Sequence, residues 1–119
     1  MMNWLRKFLT LAISSSQGVT SGARRPLGFQ QLTLTGSAQK LTLPQLPAHL
    51  NMFVGYCVIQ CSGAANTDFA SWRDDGTAPT AGVGMQLFSG QELDYSGEPT
   101  AIQFIIGAGT PVLNISYYA

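Results

Sequence analysis

The chain has 119 residues, of which 45% are hydrophobic and 10% are charged. This length fits one domain and excludes a two-domain enzyme, and the composition is too apolar and too poor in charge for a disordered chain. Six basic and six acidic residues cancel to a net charge of zero. This balance excludes the strongly basic surface of a nucleic-acid-binding protein and favours association with other molecules.

The charges are segregated along the chain. Residues 1–40 contain five basic residues and no acidic residue, a net charge of +5, whereas residues 41–119 contain one basic and six acidic residues, a net charge of −5. One explanation is chance. The other is that the two parts meet different surroundings, or that the first part of one copy contacts the body of another.

Residues 1–28 are predicted to form an amino-terminal arm. Apolar side chains recur in its first part at intervals of three and four residues, which is typical of a short amphipathic helix, and Arg6 and Lys7 lie largely on the other side. The apolar stretch is too short for a membrane span and shorter than a usual secretory signal, so we favour a helix that docks on a partner protein. The residues expected to be buried on that partner are Trp4, Leu5, Phe8 and Leu9.

The second part of the arm, residues 14–23, is rich in Ser, Gly and Thr and is predicted to be an extended connector. Arg24 and Arg25 follow it. Two adjacent arginines without a wider basic face make a weak nucleic-acid site, so we expect them to pair with an acidic protein surface and to orient the arm.

Residues 29–119 are predicted to fold as one all-β domain, a jelly-roll-like β-sandwich of about eight short strands. Alternating apolar residues on the two sides of Gly36 and Ser37 predict a hairpin of residues 32–34 and 41–43. The last two strands are predicted to form a closing pair around the turn at residues 107–111. The closing pair consists of residues 101–106 and 112–118, and the other predicted strands are 52–61, 69–73, 85–88 and 93–95.

Residues that commonly carry chemistry are few. Cys57 and Cys61 lie on one face of a predicted strand about 13 Å apart, too far to bond, and with the single histidine, His49, they fall short of the four ligands of a structural zinc. We expect buried free thiols, as in a protein assembled in a reducing cytoplasm. A lone loop histidine is more often a surface residue than a general base, so no catalytic site, cofactor or metal is expected.

The segment Arg73-Asp74-Asp75-Gly76-Thr77 has two interpretations. Its clustered carboxylates could bind calcium, but the ligand series of an EF-hand loop is missing. Asp-Gly between two strands is a strong turn signal, so the turn is the favoured interpretation.

This turn belongs to a longer pattern. A strand that ends in Arg-Asp-Asp-Gly-Thr-x-Pro-Thr at residues 73–80 precedes a Gly-x-x-Leu segment, an apolar Ile-x-Phe-Ile strand and an aromatic carboxyl end at residues 113–118. The pattern resembles small virion proteins of tailed bacteriophages. The resemblance covers about the last half of the chain and does not include the arm.

The resemblance implies a non-enzymatic β domain in a virion. Together with an apolar arm that needs a partner, it leads to the hypothesis of a capsid decoration or cement protein that bridges major capsid protein subunits. Its partners would be the major capsid protein and neighbouring copies of itself, in a homo-oligomer without specific nucleic-acid binding or stable membrane association. It would be located on the capsid surface of the virion, after assembly in the host bacterial cytoplasm.

Two alternatives remain open. A tail-tip or fibre-associated module would recognise a host surface ligand through exposed aromatic side chains. An arm that acts on membranes would use its amphipathic, basic helix. The aromatic residues considered for the first alternative are Trp72, Tyr95, Tyr117 and Tyr118.

Overall fold

The computed structural model describes residues 24–119. The predicted arm helix with Trp4, Leu5, Phe8 and Leu9, and the predicted connector, lie outside these residues. The described part contains eight β-strands and one short 3-10 helix, Ala48–Leu50. The strands are β1 Pro26–Thr33, β2 Gln39–Lys40, β3 Tyr56–Ser62, β4 Phe69–Arg73, β5 Met85–Phe88, β6 Glu92–Tyr95, β7 Gln103–Ala108 and β8 Val112–Tyr118.

The strands form two four-stranded antiparallel sheets. The first sheet has the order β1-β8-β3-β6, and the second has the order β2-β7-β4-β5. Of the described strands, only β4 and β5 are both consecutive in the chain and adjacent in one sheet. The chain therefore passes from one sheet to the other at nearly every connection. The strands at the two ends of the first sheet are β1 and β6.

The core lies between the sheets and draws on both. In β8, Leu113, Ile115 and Tyr117 are buried while the residues between them are partly exposed, as expected when one face of a strand is covered. Phe104 of β7 belongs to the same apolar cluster and is completely buried. Each such side chain contributes about 1.5–3 kcal/mol on burial, so facing rows of this kind hold the two sheets together.

The prediction that both cysteines are buried and free of disulfide bonds is confirmed. Cys57 and Cys61 are free thiols, both completely buried on the inner face of β3. Burial raises the pKa of the Cys57 thiol to about 11, because the thiolate is desolvated in the core. Both side chains serve as small apolar core groups.

The predicted hairpin around Gly36 and Ser37 is wrong. β1 pairs with β8 in the first sheet, and β2 pairs with β7 in the second. Leu34 and Leu41 on the two sides of the bend are both buried in the core. The residues between them therefore form a corner at which the chain crosses from one sheet to the other, and a Gly-Ser bend fits a corner as well as a hairpin.

The predicted closing pair is wrong for a related reason. β7 lies between β2 and β4, and β8 lies between β1 and β3. Gly109 has a φ of 71°, a left-handed conformation that favours glycine, and Pro111 is fully buried. This bend also carries the chain across to the other sheet.

Two boundaries also differ from the predictions. β1 begins at Pro26, three residues before the predicted start of the domain at residue 29. β3 begins at Tyr56 rather than residue 52, because Asn51 takes a left-handed φ of 49° and Phe53 is 75% exposed. Among residues 24–119, no helix is long and apolar enough to cross a membrane.

Candidate interaction surface

A groove runs along one edge of the molecule, where β5 ends the second sheet and β6 ends the first. One part of it, about 530 Å³, is lined by the end of β4, the loop that follows and the start of β5. A second part, about 390 Å³, lies between β5 and β6. Trp72 and Met85 line both parts, so the two are continuous. The lining residues are Trp72, Arg73, Asp74, Asp75, Val83, Gly84, Met85, Gln86, Leu87, Gln91, Glu92 and Leu93. We call this the acidic groove.

The walls of the acidic groove are apolar and open to solvent. Met85 is 61% exposed and Val83 is 55% exposed. Trp72 is half-buried between them and the core, and its ring meets the ring of Tyr95 edge-on with centroids 6.3 Å apart. Large apolar side chains that stay exposed side by side are typical of a surface that another molecule covers.

Carboxylates stand at both ends of the groove, Asp74 and Asp75 at one and Glu92 at the other. Arg73, the cation among the lining residues, donates two hydrogen bonds to Asp75, one of them from Nε to Oδ1 over 3.1 Å. Hydrogen bonding from Arg73 lowers the pKa of the Asp75 carboxyl. The groove is therefore anionic at neutral pH, with its single cation already paired.

The predicted Arg73–Thr77 turn lies at the mouth of this groove. Gly76 takes a φ of 89°, which favours glycine, and the N–H of Thr77 donates to Asp75 Oδ1 over 3.3 Å. Asp74 accepts instead from the hydroxyl of Tyr95 over 2.9 Å. The two neighbouring carboxylates thus have separate partners and do not converge on a common point.

A second apolar surface lies at the opposite end of the first sheet. Phe29 of β1 is 66% exposed, and Leu50 and Phe53 of the β2–β3 loop are 45% and 75% exposed. The loop lies against the start of β1, where Arg25 Nη1 is 3.3 Å from Met52 Sδ. We call Phe29, Leu50 and Phe53 the β1-side surface.

Polar side chains separate the two surfaces on the outer face of the first sheet. Gln31 donates to Asn114 over 3.0 Å, and Asn114 donates to Gln60 over 3.3 Å and to Ser62 over 3.1 Å. This ladder crosses β1, β8 and β3. Phe29 and Glu92 both line a depression of about 300 Å³ on this outer face, so the two surfaces are joined by mostly polar side chains rather than by a continuous apolar patch.

Arg24 and Arg25, predicted to orient the arm, lie against their own domain. The guanidinium of Arg24 is 3.8 Å from the centre of the Tyr56 ring, a cation–π contact. The carbonyl of Arg25 accepts the N–H of Ala119 over 2.9 Å, which ties the chain to the end of β8. These contacts hold residues 24 and 25 against the start of β3 and the end of the described chain.

His49 is exposed on the short 3-10 helix, as expected for a loop histidine. Within residues 24–119, no group of three or more histidine, cysteine or acidic side chains is placed to hold a metal ion.

One buried carboxylate, Asp68, is not marked by any pattern in the sequence. Asp68, 7% exposed, accepts hydrogen bonds from the N–H of Ala64 over 3.0 Å and from the N–H of Thr110 over 3.3 Å. These bonds, the one from Ala64 foremost, lower the pKa of its carboxyl. It joins the β3–β4 loop to the β7–β8 loop, and we call this region the Asp68 corner. Residues 64 and 110 are too far apart in the sequence for any local pattern to reveal it.

A known relative would help to explain the acidic groove and the Asp68 corner. No protein-family model, curated protein or solved structure matches the chain.

Proposed function

We propose that this chain is a bacteriophage virion structural protein that decorates the capsid and bridges major capsid protein subunits. The observation that carries the proposal is the presence of two exposed apolar surfaces on different edges of the two-sheet domain, one beside β1 of the first sheet and one on β5 of the second, next to β6. A protein that bridges must bind on two sides, and a surface at β1 lies about 15 Å across the sheet from one at β6.

The strand order supports this proposal. The neighbours in the two sheets include the pairs β1 with β8, β2 with β7, β3 with β6 and β4 with β5. A long hairpin of four strands against four, rolled on itself, has these pairs, and we propose that the domain is a jelly roll. Jelly rolls occur in viral capsid domains, and also in lectins and cupins.

The charge and the thiols agree with a role in assembly. A net charge of zero gives little repulsion between copies, so many copies can lie close together on a lattice, and multivalency strengthens weak individual contacts. Free buried thiols fit assembly in the reducing cytoplasm of a bacterial host. In this proposal the partners are the major capsid protein and neighbouring copies.

The first test is the copy number of the chain in purified phage particles, measured by quantitative mass spectrometry against the most abundant virion protein. A decoration protein is expected in numbers comparable with the major capsid protein. A few copies per particle, or none, would overturn the proposal.

The second test is binding to empty capsid shells. Phe53→Asp places a charge on the β1-side surface, and Thr42→Asp is its control, because Thr42 is an exposed polar residue of the same loop. We expect Phe53→Asp to weaken binding about tenfold or more and Thr42→Asp to leave it unchanged. Equal binding by both variants would remove the β1-side surface from the capsid contact.

Deletion of residues 1–13 tests the predicted docking arm. We expect the β domain to stay folded, as followed by circular dichroism and thermal melting, and binding to shells to be lost. Normal binding by the shortened chain would show that the arm does not dock.

Fewer aromatic side chains are available to the tail-tip alternative than the four considered from the sequence. Of the four aromatic residues considered as stacking platforms, Tyr95 is 6% exposed and Tyr117 is 1% exposed, so these two cannot stack on a ligand. Trp72 in the acidic groove and Tyr118 at the end of β8 are both partly exposed and remain as platforms. A low copy number, together with loss of host attachment in Trp72→Ala, would favour this second function.

A further inference from the structure

We propose that the acidic groove receives residues 4–9 of a second copy of the chain. This inference goes beyond capsid decoration, because it concerns contact between copies and requires no particle. It makes a second copy the partner on which the arm docks, so deletion of residues 1–13 would weaken shell binding through the loss of contacts between copies. Three features argue for it: the apolar character of the groove, its charge, and its place relative to the start of the chain.

The apolar parts fit one another. The groove presents Val83 and Met85, more than half exposed, beside the ring of Trp72. Residues 4–9 contain four large apolar side chains in six positions, Trp4, Leu5, Phe8 and Leu9. A segment of this composition is stabilised when it is covered, and the combined groove volume of several hundred Å³ suits a few side chains rather than a whole domain.

The charges are complementary and equal in number. Three carboxylates and one guanidinium line the groove, an excess of two negative charges. Arg6 and Lys7, between the apolar residues of the segment, supply two positive charges. Attraction of this kind favours the basic segment over other apolar segments and fixes its orientation.

The next negative charges lie on the same edge. Asp94 follows Glu92 on β6, and Glu98 follows in the loop, where its backbone carbonyl accepts from the hydroxyl of Tyr95 over 3.1 Å. Five of the six acidic residues of the chain thus belong to β6 and to the loops at this edge. The basic segment would meet a continuous negative edge rather than a single carboxylate.

The position of β1 favours a second copy as the source of the segment. The backbone enters the described domain through β1, at the end of the first sheet opposite β6. A copy placed edge to edge therefore brings its groove next to the start of its neighbour's domain. The 14 residues between Leu9 and Arg24 can span roughly 50 Å when extended, more than the width of a domain of this size.

In these contacts the segment of one copy binds the groove of another. Two copies that exchange segments reciprocally close a dimer, whereas contacts repeated in one direction form a ring or a chain. Each arrangement would link copies of a decoration protein laterally.

The experiment uses the full-length chain in solution without particles. Met85→Lys removes an exposed apolar side chain from the groove and adds a repelling charge, and Thr33→Lys, at an exposed position of β1, is its control. Arg6→Glu with Lys7→Glu reverses the charge of the segment. Self-association is measured by sedimentation velocity over a wide range of protein concentration.

We expect the wild-type chain and Thr33→Lys to associate, and the groove variant and the segment variant each to associate at least about tenfold more weakly. The mixture of the two variants is decisive. It retains one intact groove and one intact segment, so it should form heterodimers and nothing larger.

The result that overturns the proposal is a wild-type chain that stays monomeric, which includes the case in which each segment occupies the groove of its own chain. A mixture that stays monomeric would also overturn it, as would variants that associate like the wild type. These outcomes are independent of the copy number in particles, so this inference and the proposed function can fail separately.

Discussion

The Asp68 corner and the acidic groove both contain carboxylates beside apolar groups, yet the two regions are built in opposite ways. Asp68 is 7% exposed, and its oxygens accept backbone N–H groups from two loops. At the groove, the Asp75 side chain is 54% exposed and pairs with an arginine two residues away.

The difference separates residues that hold the fold from exposed residues that the proposed contact between copies would use. A buried carboxylate that ties its own loop to a distant one must be satisfied for the domain to fold. An exposed carboxylate with a local partner, beside uncovered Val83 and Met85, contributes little to the fold. Mutations in the corner and of buried groove residues such as Leu87 should therefore change stability, and mutations of the exposed groove residues should change association.

The largest effect is expected within β5, where Leu87 is 4% exposed and Met85, two residues earlier, is 61% exposed. Leu87→Ala should lower the free energy of unfolding by about 2–4 kcal/mol, because it removes core contacts and leaves a cavity. Met85→Ala should change it by no more than about 0.5 kcal/mol. Urea denaturation of both variants measures the difference, and similar losses would show that the groove wall is part of the core.

The positions of the strands along the chain were largely predictable from the sequence, but the pairing of strands within the sheets was not. The predicted ranges 69–73, 85–88 and 112–118 match β4, β5 and β8 residue for residue, because alternation and turn residues mark where a strand begins and ends. Alternation does not say whether the next strand lies in the same sheet. The bends at Gly36 and Gly109 were therefore predicted as hairpins and are crossings between sheets.

The candidate site was predictable only in part. The Arg73–Thr77 turn stands out in the sequence, and it lies at the mouth of the groove. The sequence does not show that Glu92 closes the other end, because that depends on β5 and β6 ending different sheets at the same edge. In the sequence Asp68 stands out only as one of the acidic residues, since its partner Thr110 is 42 residues away.

The second prediction compares glycines in the two regions. Gly109 has a φ of 71°, and an added Cβ would collide with the carboxylate of Asp68. Gly109→Ala should therefore cost about 1–3 kcal/mol through backbone strain alone. Gly82, in the β4–β5 loop beside the groove, has open space around an added Cβ, and Gly82→Ala should be close to neutral. Thermal melting of the two variants makes the comparison, and a larger loss in Gly82→Ala would contradict it.

The third prediction concerns acid and should have the smallest effect. The folded-state pKa values of Asp68 and Asp75 are both lowered. Each charge therefore stabilises the fold above the unfolded-state pKa, near pH 4, and this stabilisation is lost as the pH falls through the folded-state pKa. At pH values below about 4, the urea concentration at the midpoint of wild-type unfolding should therefore decrease.

Asp68→Asn and Asp75→Asn assign that acid dependence to a region. The difference in midpoint between wild type and Asp68→Asn should be largest at neutral pH and shrink in acid, because protonation makes the wild-type side chain neutral as well. Asp75→Asn should follow the wild-type curve closely, since its ion pair with Arg73 is open to solvent and screened. If Asp75→Asn flattened the curve more than Asp68→Asn, the groove carboxylate would be holding the fold, and the separation between a structural corner and an interaction groove would fail.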